Sequence, residues 1–488
     1  MAFNFSKSNL PKQLFINNEY VDSKNKKKLS AYNPKDGLLV ANDVALAGGQ
    51  DVDAAVEAAE KAFPAWKRMP PIQRRDIMLK FAALVEEHGE ALAELTRITL
   101  GAPYGSFGKF ETGLIVETFK YNAGWIDKFA GESFPQEDGF LKIVRNEPLG
   151  VVCGIVPWNG PLGSVGLKAA PALATGNCFI IKPSEKTPFA SLALGPLIKE
   201  AGFPPGVLQV LSGDGSTGAL LASHMRIRKV SFTGSISTGK KIQEMAARSN
   251  LKRVTLELGG KSPAVIFDDA NLENAITWTA NAITANTGQV CFAASIVYVQ
   301  EGIYDRFIEG YKKALLEKTK AVGDPEDEST QLGPLVDGAQ FDRVIGFIER
   351  GQQGQGDLLL GGRRIGDKGF FIEPTIFTNV KADSEIQSEE IFGPVAVVNT
   401  FKTEEEIVAK SNNTNFGLMA GVFTQDINKA LRVASDFESG MVGVNCVSLM
   451  MMTAPFGGSK ESGIGREGGI QALRAFTEPK TILVNLSY

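Results

Sequence analysis

An α/β fold built on parallel sheets follows from two observations. From Gly150 onward, short β-branched runs alternate with helical segments, and a second series of the same kind begins near Val265. The 43% hydrophobic content of a 488-residue chain supplies enough apolar surface for two or three lobes.

In chain order, residues 51 to 100 predict helix, because Val52, Ala55, Val56, Ala59 and Phe63, then Ile77, Leu79, Phe81, Leu84 and Val85, recur at helical spacing. The runs Val151–Val156, Asn177–Ile181, Val207–Leu211 and Lys229–Phe232 predict the strands of a first sheet. Val265–Phe267, Val395–Val398 and Met441–Val444 predict those of a second. The seam between them falls near Leu258 to Lys261. The glycine-rich stretch Gly351 to Gly369 reads as a surface connection, and the charge run Lys24 to Lys28 as a solvated turn.

The charge balance of 51 basic against 55 acidic residues, net -4, gives no general attraction for nucleic acid or an anionic membrane. No apolar signal core follows Met1, and no run approaches the ~20 apolar residues that span a bilayer. Four cysteines (Cys153, Cys178, Cys291, Cys446) without CxxC spacing fit neither a disulfide framework nor a metal knuckle, so no metal and a cytoplasmic location are expected.

Only two histidines, His88 and His224, are present. That scarcity argues against hydrolases with an imidazole base and against zinc enzymes. The thiol of Cys291 follows the turn Thr287-Gly288-Gln289. Nearby helix N-terminal amides would lower its pKa, whereas Cys153, Cys178 and Cys446 read as structural. Its base must then be a carboxylate. Glu257, set in the apolar run Leu256-Glu257-Leu258, is the candidate, since desolvation raises an acid toward a useful base. Asn159, held between Pro157-Trp158 and Gly160-Pro161, can aim an amide at an oxyanion; an ordinary Asn-Gly turn is the alternative.

Phe232-Thr233-Gly234-Ser235-Ile236-Ser237-Thr238-Gly239 follows a strand and opens a helix, an arrangement that meets phosphate. Gly234 to Lys240 also fits GxxxxGK, but Lys241 stands where an NTPase or kinase needs Ser or Thr for magnesium. Lys182 and Glu185 lie just past a strand end; Glu185 suits ribose hydroxyls and repels a 2′-phosphate, favouring NAD over NADP. An exposed Lys–Glu pair opening a helix is the competing reading.

Taken with Glu257-Leu258-Gly259-Gly260-Lys261, Glu389-Glu390-Ile391-Phe392-Gly393-Pro394, Pro455-Phe456-Gly457-Gly458-Ser459-Lys460 and Ser462-Gly463-Ile464-Gly465-Arg466-Glu467, these strings occur in the order of one family. From about Asn33 to Phe476 the chain resembles the aldehyde dehydrogenase superfamily, of the NAD(P)-dependent, hydrolytic type. The resemblance implies a Rossmann-type cofactor lobe (1–126 and 149–258), an α/β catalytic lobe (259–458) and a small β oligomerisation element (127–148 and 473–488). It implies a homodimer or homotetramer.

By the same resemblance Cys291 forms a thiohemiacetal with a small-molecule aldehyde. Its oxyanion is held by Asn159 and the Cys291 amide, and after hydride transfer Glu257 activates the water that hydrolyses the thioester. Lys168 and Glu467 match positions that relay the proton. Lys182 and Glu185 fall to the adenine ribose, Ser235 to pyrophosphate, and Glu390 and Phe392 to the nicotinamide end. Val156, Trp158, Gly215, Gly234 and Gln340 complete an NAD site, with NADP use left open. Gly160, Gly163, Ser164, Leu167, Ala285, Phe292, Leu449, Met450 and Phe456 fall on the substrate tunnel. Small residues there imply a wide tunnel and a bulky apolar or aromatic aldehyde. Two positions depart from the family pattern Ala-Gly-Ser-Arg: Ala294 and Ile296 replace the Gly and the Arg. A catalytically silent relative is disfavoured by the retention of Cys291, Glu257 and Asn159.

Overall fold

The computed structural model describes residues 3–487. Met1, Ala2 and Tyr488, at the outer limits of the expected cofactor lobe and oligomerisation element, lie outside the described residues.

Helices α1 (Gly49–Arg68), α2 (Pro71–Glu87) and α3 (Gly89–Leu100) form where the apolar spacing predicts helix. The first two are separated because Pro70 lacks an N–H and its neighbour Pro71 opens the second helix at a position where no donor is needed. α4 (Lys109–Ala123) and α5 (Gly163–Ala174) follow and lie against each other.

An eight-stranded sheet runs in the order Gly463–Ile464, Arg253–Glu257, Lys229–Thr233, Val151–Ile155, Cys178–Lys182, Leu208–Val210, Leu14–Ile16, Glu19–Val21. The five strands from Arg253–Glu257 to Leu208–Val210 are mutually parallel. They are buried nearly throughout, as expected for a parallel sheet covered on both faces.

A seven-stranded sheet carries Asp357–Leu360, Thr375–Thr378, Val395–Phe401, Ile296–Gln300, Pro263–Ile266, Met419–Phe423 and Met441–Val444. Asp357–Leu360 corrects the reading of Gly351 to Gly369 as a mere connection. It is an antiparallel edge strand with a register shift between Leu358 and Leu360, and the glycines that suggested a loop mark its flanking turns. Ala294 is fully buried and Ile296, 6% exposed, opens a central strand. The departure from Gly and Arg therefore places two apolar side chains in the core of this sheet.

The chain crosses between the two sheets over residues 258–262, from the end of Arg253–Glu257 to the start of Pro263–Ile266. A third, three-stranded sheet joins Glu132–Glu137, Phe140–Pro148 and Thr477–Asn485. It stands largely exposed, with Leu483 62% accessible.

Candidate active site

The parallel strands of the first sheet end at a cleft of about 960 Å³, the location that strand-end topology favours for ligands. Cys291, Asn159 and all ten residues expected at the cofactor (Val156, Trp158, Lys182, Glu185, Gly215, Gly234, Ser235, Gln340, Glu390, Phe392) line it. Glu257, Lys168 and Glu467 lie behind this wall. None of the nine expected tunnel residues lines the cleft itself.

Cys291 is presented by a turn in which Asn286, Thr287 and Gly288 all adopt left-handed φ of 46°, 56° and 73°. For Thr287 this conformation is costly. It persists because the surroundings fix it: Thr287 donates to the Gly333 carbonyl at 2.9 Å, Gln289 donates to the Asn286 carbonyl at 2.9 Å, and Val336 N–H donates to Gln289 at 2.9 Å. A Cβ on Gly288 would fall 2.2 Å from the Gly393 backbone, which ties the nucleophile turn to the Glu389–Pro394 segment. The Asn159 amide donates to the Gln289 carbonyl at 2.9 Å, leaving its second N–H unassigned by this bond.

The expected lowering of the Cys291 pKa is not what the geometry gives. Burial, then the Glu390 and Glu257 carboxylates, push the thiol above its ordinary range, and the backbone amides of Cys291 and Phe292 only partly oppose them. These contributions together favour the thiol over the thiolate. Cys153 and Cys178, buried in strands, are both pushed up to about 12 by burial, consistent with structural roles.

Glu257 is 3% exposed, and neither carboxylate oxygen has a hydrogen-bond partner. Burial raises its pKa well above the ordinary value and the Glu467 charge adds to the effect. Lys168 and Arg466 oppose it, and the Gly458 amide approaches without closing a bond. Lys168, fully buried on α5, is ion-paired with Glu467 and donates to Ser231 at 3.3 Å. Thr255 donates to the same Ser231 hydroxyl at 3.1 Å, so a polar track runs behind the base through an otherwise apolar sheet.

Lys182 is 4% exposed and lies 3.5 Å from Glu185. Burial depresses the lysine, with Glu185 as partial compensation, which departs from an ordinary exposed pair. Ser235 caps the helix Ile236–Arg248 by accepting from Thr238 N–H at 3.4 Å, and Gly234 N–H donates to the Glu257 carbonyl at 3.1 Å. A side chain on Gly215 would meet nothing within 4 Å, so the opening of its helix faces free space. Glu390 accepts from Gly260 N–H at 2.9 Å, and burial raises it to about 7. Gln340 acts on backbone: it donates to the Phe392 carbonyl at 2.8 Å, at a residue with φ of 62°, and the Phe392 ring meets Trp158 edge-on at 5.3 Å.

Of the tunnel residues, Gly163, Ser164 and Leu167 lie in the first turns of α5 with Gly160 just before it, and Gly160 and Gly163 face Glu111 of α4. The Phe292 and Phe456 rings meet edge-on at 5.4 Å. Phe456 exchanges two backbone hydrogen bonds with Glu467, which couples this wall to the polar track. The loop bearing Leu449 and Met450 is tied down on both sides, by Ser448 donating to the Phe292 carbonyl at 2.6 Å and by Thr118 donating to the Met452 sulfur at 3.1 Å. Ala285 is exposed at the end of the helix Leu272–Thr284.

The sequence reading passed over two buried charges. Glu111 on α4 accepts from Leu162 and Gly163 N–H, each at 3.1 Å. Its sequence signal is an acid four residues before Ile115 and eight before Phe119, on the apolar face of its helix. Lys229, inside a strand and 4.7 Å over the Phe476 ring, is lowered to about 7 by burial and by Lys168.

Comparison with known proteins places this arrangement. The model of the aldehyde dehydrogenase family matches residues 20–482. An aldehyde dehydrogenase of Agaricus bisporus is 45% identical over 478 residues, covering 97% of this chain and 95% of the relative. Human retinal dehydrogenase 2 is 45% identical over 97% of this chain and 92% of its own. A variant of the indole-3-acetaldehyde dehydrogenase of P. syringae, solved with NAD+ and IAA, superposes with a TM-score of 0.95 at 38% identity, covering 99% of this chain and all of that one (100%).

Proposed function

The chain belongs to the aldehyde dehydrogenase family, and on that premise we propose that it oxidises a bulky apolar or aromatic aldehyde to the carboxylic acid with NAD. One observation carries the reading: the nucleophile candidate, the oxyanion donor candidate and the ten cofactor candidates line a single cleft.

The residues suit a dinucleotide. Gly215 and the Ser235-capped helix offer backbone N–H groups to phosphate, and Glu185 offers a carboxylate to ribose while repelling a 2′-phosphate. NADP use stays the alternative. Bound there, the nicotinamide supplies the acceptor for the two electrons and the hydrogen leaving the aldehyde carbon.

In this scheme the Cys291 thiol first releases its proton to water in the cleft, the sulfur then bonds to the carbonyl carbon, and the oxygen takes the electron pair and is held by the Asn159 amide and the Cys291 N–H. Loss of hydride leaves a thioester. Glu257 then takes a proton from water, whose oxygen bonds to the acyl carbon as the sulfur departs. Glu467 and Lys168 receive the proton load behind it. The raised pKa of Glu257 matches a group that must accept a proton near neutrality.

The wide-tunnel reading rests on the small residues Gly160, Gly163 and Ser164 that follow Asn159 in the chain, with Glu111 and Leu114 packed where a side chain on the two glycines would lie. We read the first sheet as the cofactor lobe, the second as the catalytic lobe and the three-stranded sheet as the oligomerisation element. The largely exposed edge strand Thr477–Asn485 favours a homodimer or homotetramer. A cytoplasmic setting is favoured by four free cysteines; among the described residues no helix is long and apolar enough to cross a membrane.

The test is NADH production over an aldehyde panel, run beside Cys291→Ala. Turnover of benzaldehyde above acetaldehyde, abolished by the substitution, is the expected result. A preference for acetaldehyde removes the wide-tunnel reading, and activity surviving without the thiol removes the mechanism.

A further inference from the structure

We infer that Glu111 is a specificity-determining residue of the aldehyde channel, its free carboxylate oxygen selecting aldehydes whose tail carries a hydrogen-bond donor such as a hydroxyl. This rests on the reading of the Gly160–Leu167 surface as the wall of that channel.

The carboxylate is divided between two tasks. Oε2 accepts from the Leu162 and Gly163 N–H groups at the start of α5, each at 3.1 Å. Oε1 receives no hydrogen bond among the described residues, although Glu111 is only 3% exposed. Oε1 lies against the two glycines of the expected channel: a Cβ would fall 2.8 Å from it at Gly163 and 3.3 Å from it at Gly160. Gly160 directly follows Asn159. The free oxygen therefore lies against the backbone next to the residue proposed to hold the reacting carbonyl.

Anchoring the helix start does not require a charge. A glutamine oxygen would accept the same two N–H groups without the cost of burying an anion. That cost is visible, since burial outweighs both backbone hydrogen bonds and raises the carboxyl to about 7. A ligand hydroxyl reaching Oε1 would supply the missing partner. The glycines and the acid also depend on each other, because a side chain on Gly163 would collide with Leu114, 2.5 Å away, as well as with Oε1. Where side chains would stand on the two glycines, the expected wall thus presents the Glu111 acceptor, and a purely hydrocarbon tail against it would leave that acceptor desolvated and unpaired.

The experiment compares kcat/KM for meta- and para-(hydroxymethyl)benzaldehyde with meta- and para-ethylbenzaldehyde, which match in size and do not ionise. It uses the full chain with NAD at about pH 8.5, where such a carboxyl is ionised. Wild type should favour at least one hydroxymethyl compound by about 10- to 100-fold, the range of a hydrogen bond to a charged acceptor. In Glu111→Gln the amide oxygen keeps the two backbone N–H groups and turns its NH2 toward the channel, where it can only donate to the hydroxyl, so the bond to a charged acceptor is lost and the preference should fall by about fivefold or more relative to the ethyl compounds. A wild-type preference for the ethyl compounds, a preference unchanged in Glu111→Gln, or an equal loss on all four substrates overturns the assignment, the last leaving Glu111 as a helix anchor. Absence of turnover of every aldehyde overturns the underlying reading and this one with it.

Discussion

The Asn159 side chain donates to the carbonyl of Gln289 at 2.9 Å, two residues before Cys291, so the proposed oxyanion donor and the nucleophile turn are bonded to each other before any substrate arrives. The pairing holds the amide in place. Asn159→Ala should lower kcat by about 100- to 1000-fold, the usual effect of deleting one oxyanion donor. Thiol labelling of Cys291 under native conditions should remain near wild type. Steady-state rates and labelling rates together check this; a rate loss below tenfold would falsify the oxyanion role.

Glu257 has no hydrogen-bond partner and a raised pKa, which suits a base for the second half of the reaction. In Glu257→Gln the first turnover should still release NADH, as a burst stoichiometric with enzyme, while steady-state turnover falls by about 100-fold or more. Stopped-flow absorbance separates the phases. Loss of the burst as well would assign Glu257 to activation of the thiol instead.

Lys168 and Glu467 form an ion pair with side chains 0% and 7% accessible. Removing either partner strands the other as a buried charge, so Lys168→Met and Glu467→Gln should each destabilise by about 3 to 5 kcal/mol. The double variant Lys168→Met with Glu467→Gln should recover most of the loss. Urea unfolding of the four proteins closes the cycle, and additive losses would show that the pair does not act as a unit.

Glu111 titrates near 7 in the folded chain against an ordinary 4.5. A carboxyl raised by folding binds more protons folded than unfolded, so its burial penalty is absent below about pH 4.5 and complete above about pH 7, reaching about 3 kcal/mol. Stability carried by this group therefore falls as pH rises through that window. Glu111→Gln lacks the penalty and should gain on wild type by that amount between the two limits. Urea midpoints at both ends measure the difference, and a pH-independent gap rejects the assignment.

Much of the site was legible because its groups sit in short contiguous strings at strand ends. Glycines that must approach backbone, such as Gly288 against Gly393, leave a trace in sequence, and the β-branched runs predicted the parallel strands. Glu111 leaves no such trace. Its meaning arises only when α4 is laid against the start of α5, a contact between residues about fifty positions apart. The thiol of Cys291 shows the same limit, since the amides beside it were readable while the opposing carboxylate Glu390 comes from a distant segment that leads into the neighbouring strand Val395–Phe401 of the same sheet. The edge strand Asp357–Leu360 hid for another reason, its flanking glycines masking four residues of pairing.

Glu257 closes a strand of one sheet, its carbonyl anchors the Gly234 turn at the nucleotide cleft, and the chain beyond it enters the sheet that presents Cys291. Anyone recombining halves of related enzymes inherits that coupling. A junction placed upstream of Arg253 would transplant the base together with the thiol yet sever it from its native phosphate turn, whereas one placed after Ser262 would do the reverse, so no single cut delivers an exchangeable cofactor module.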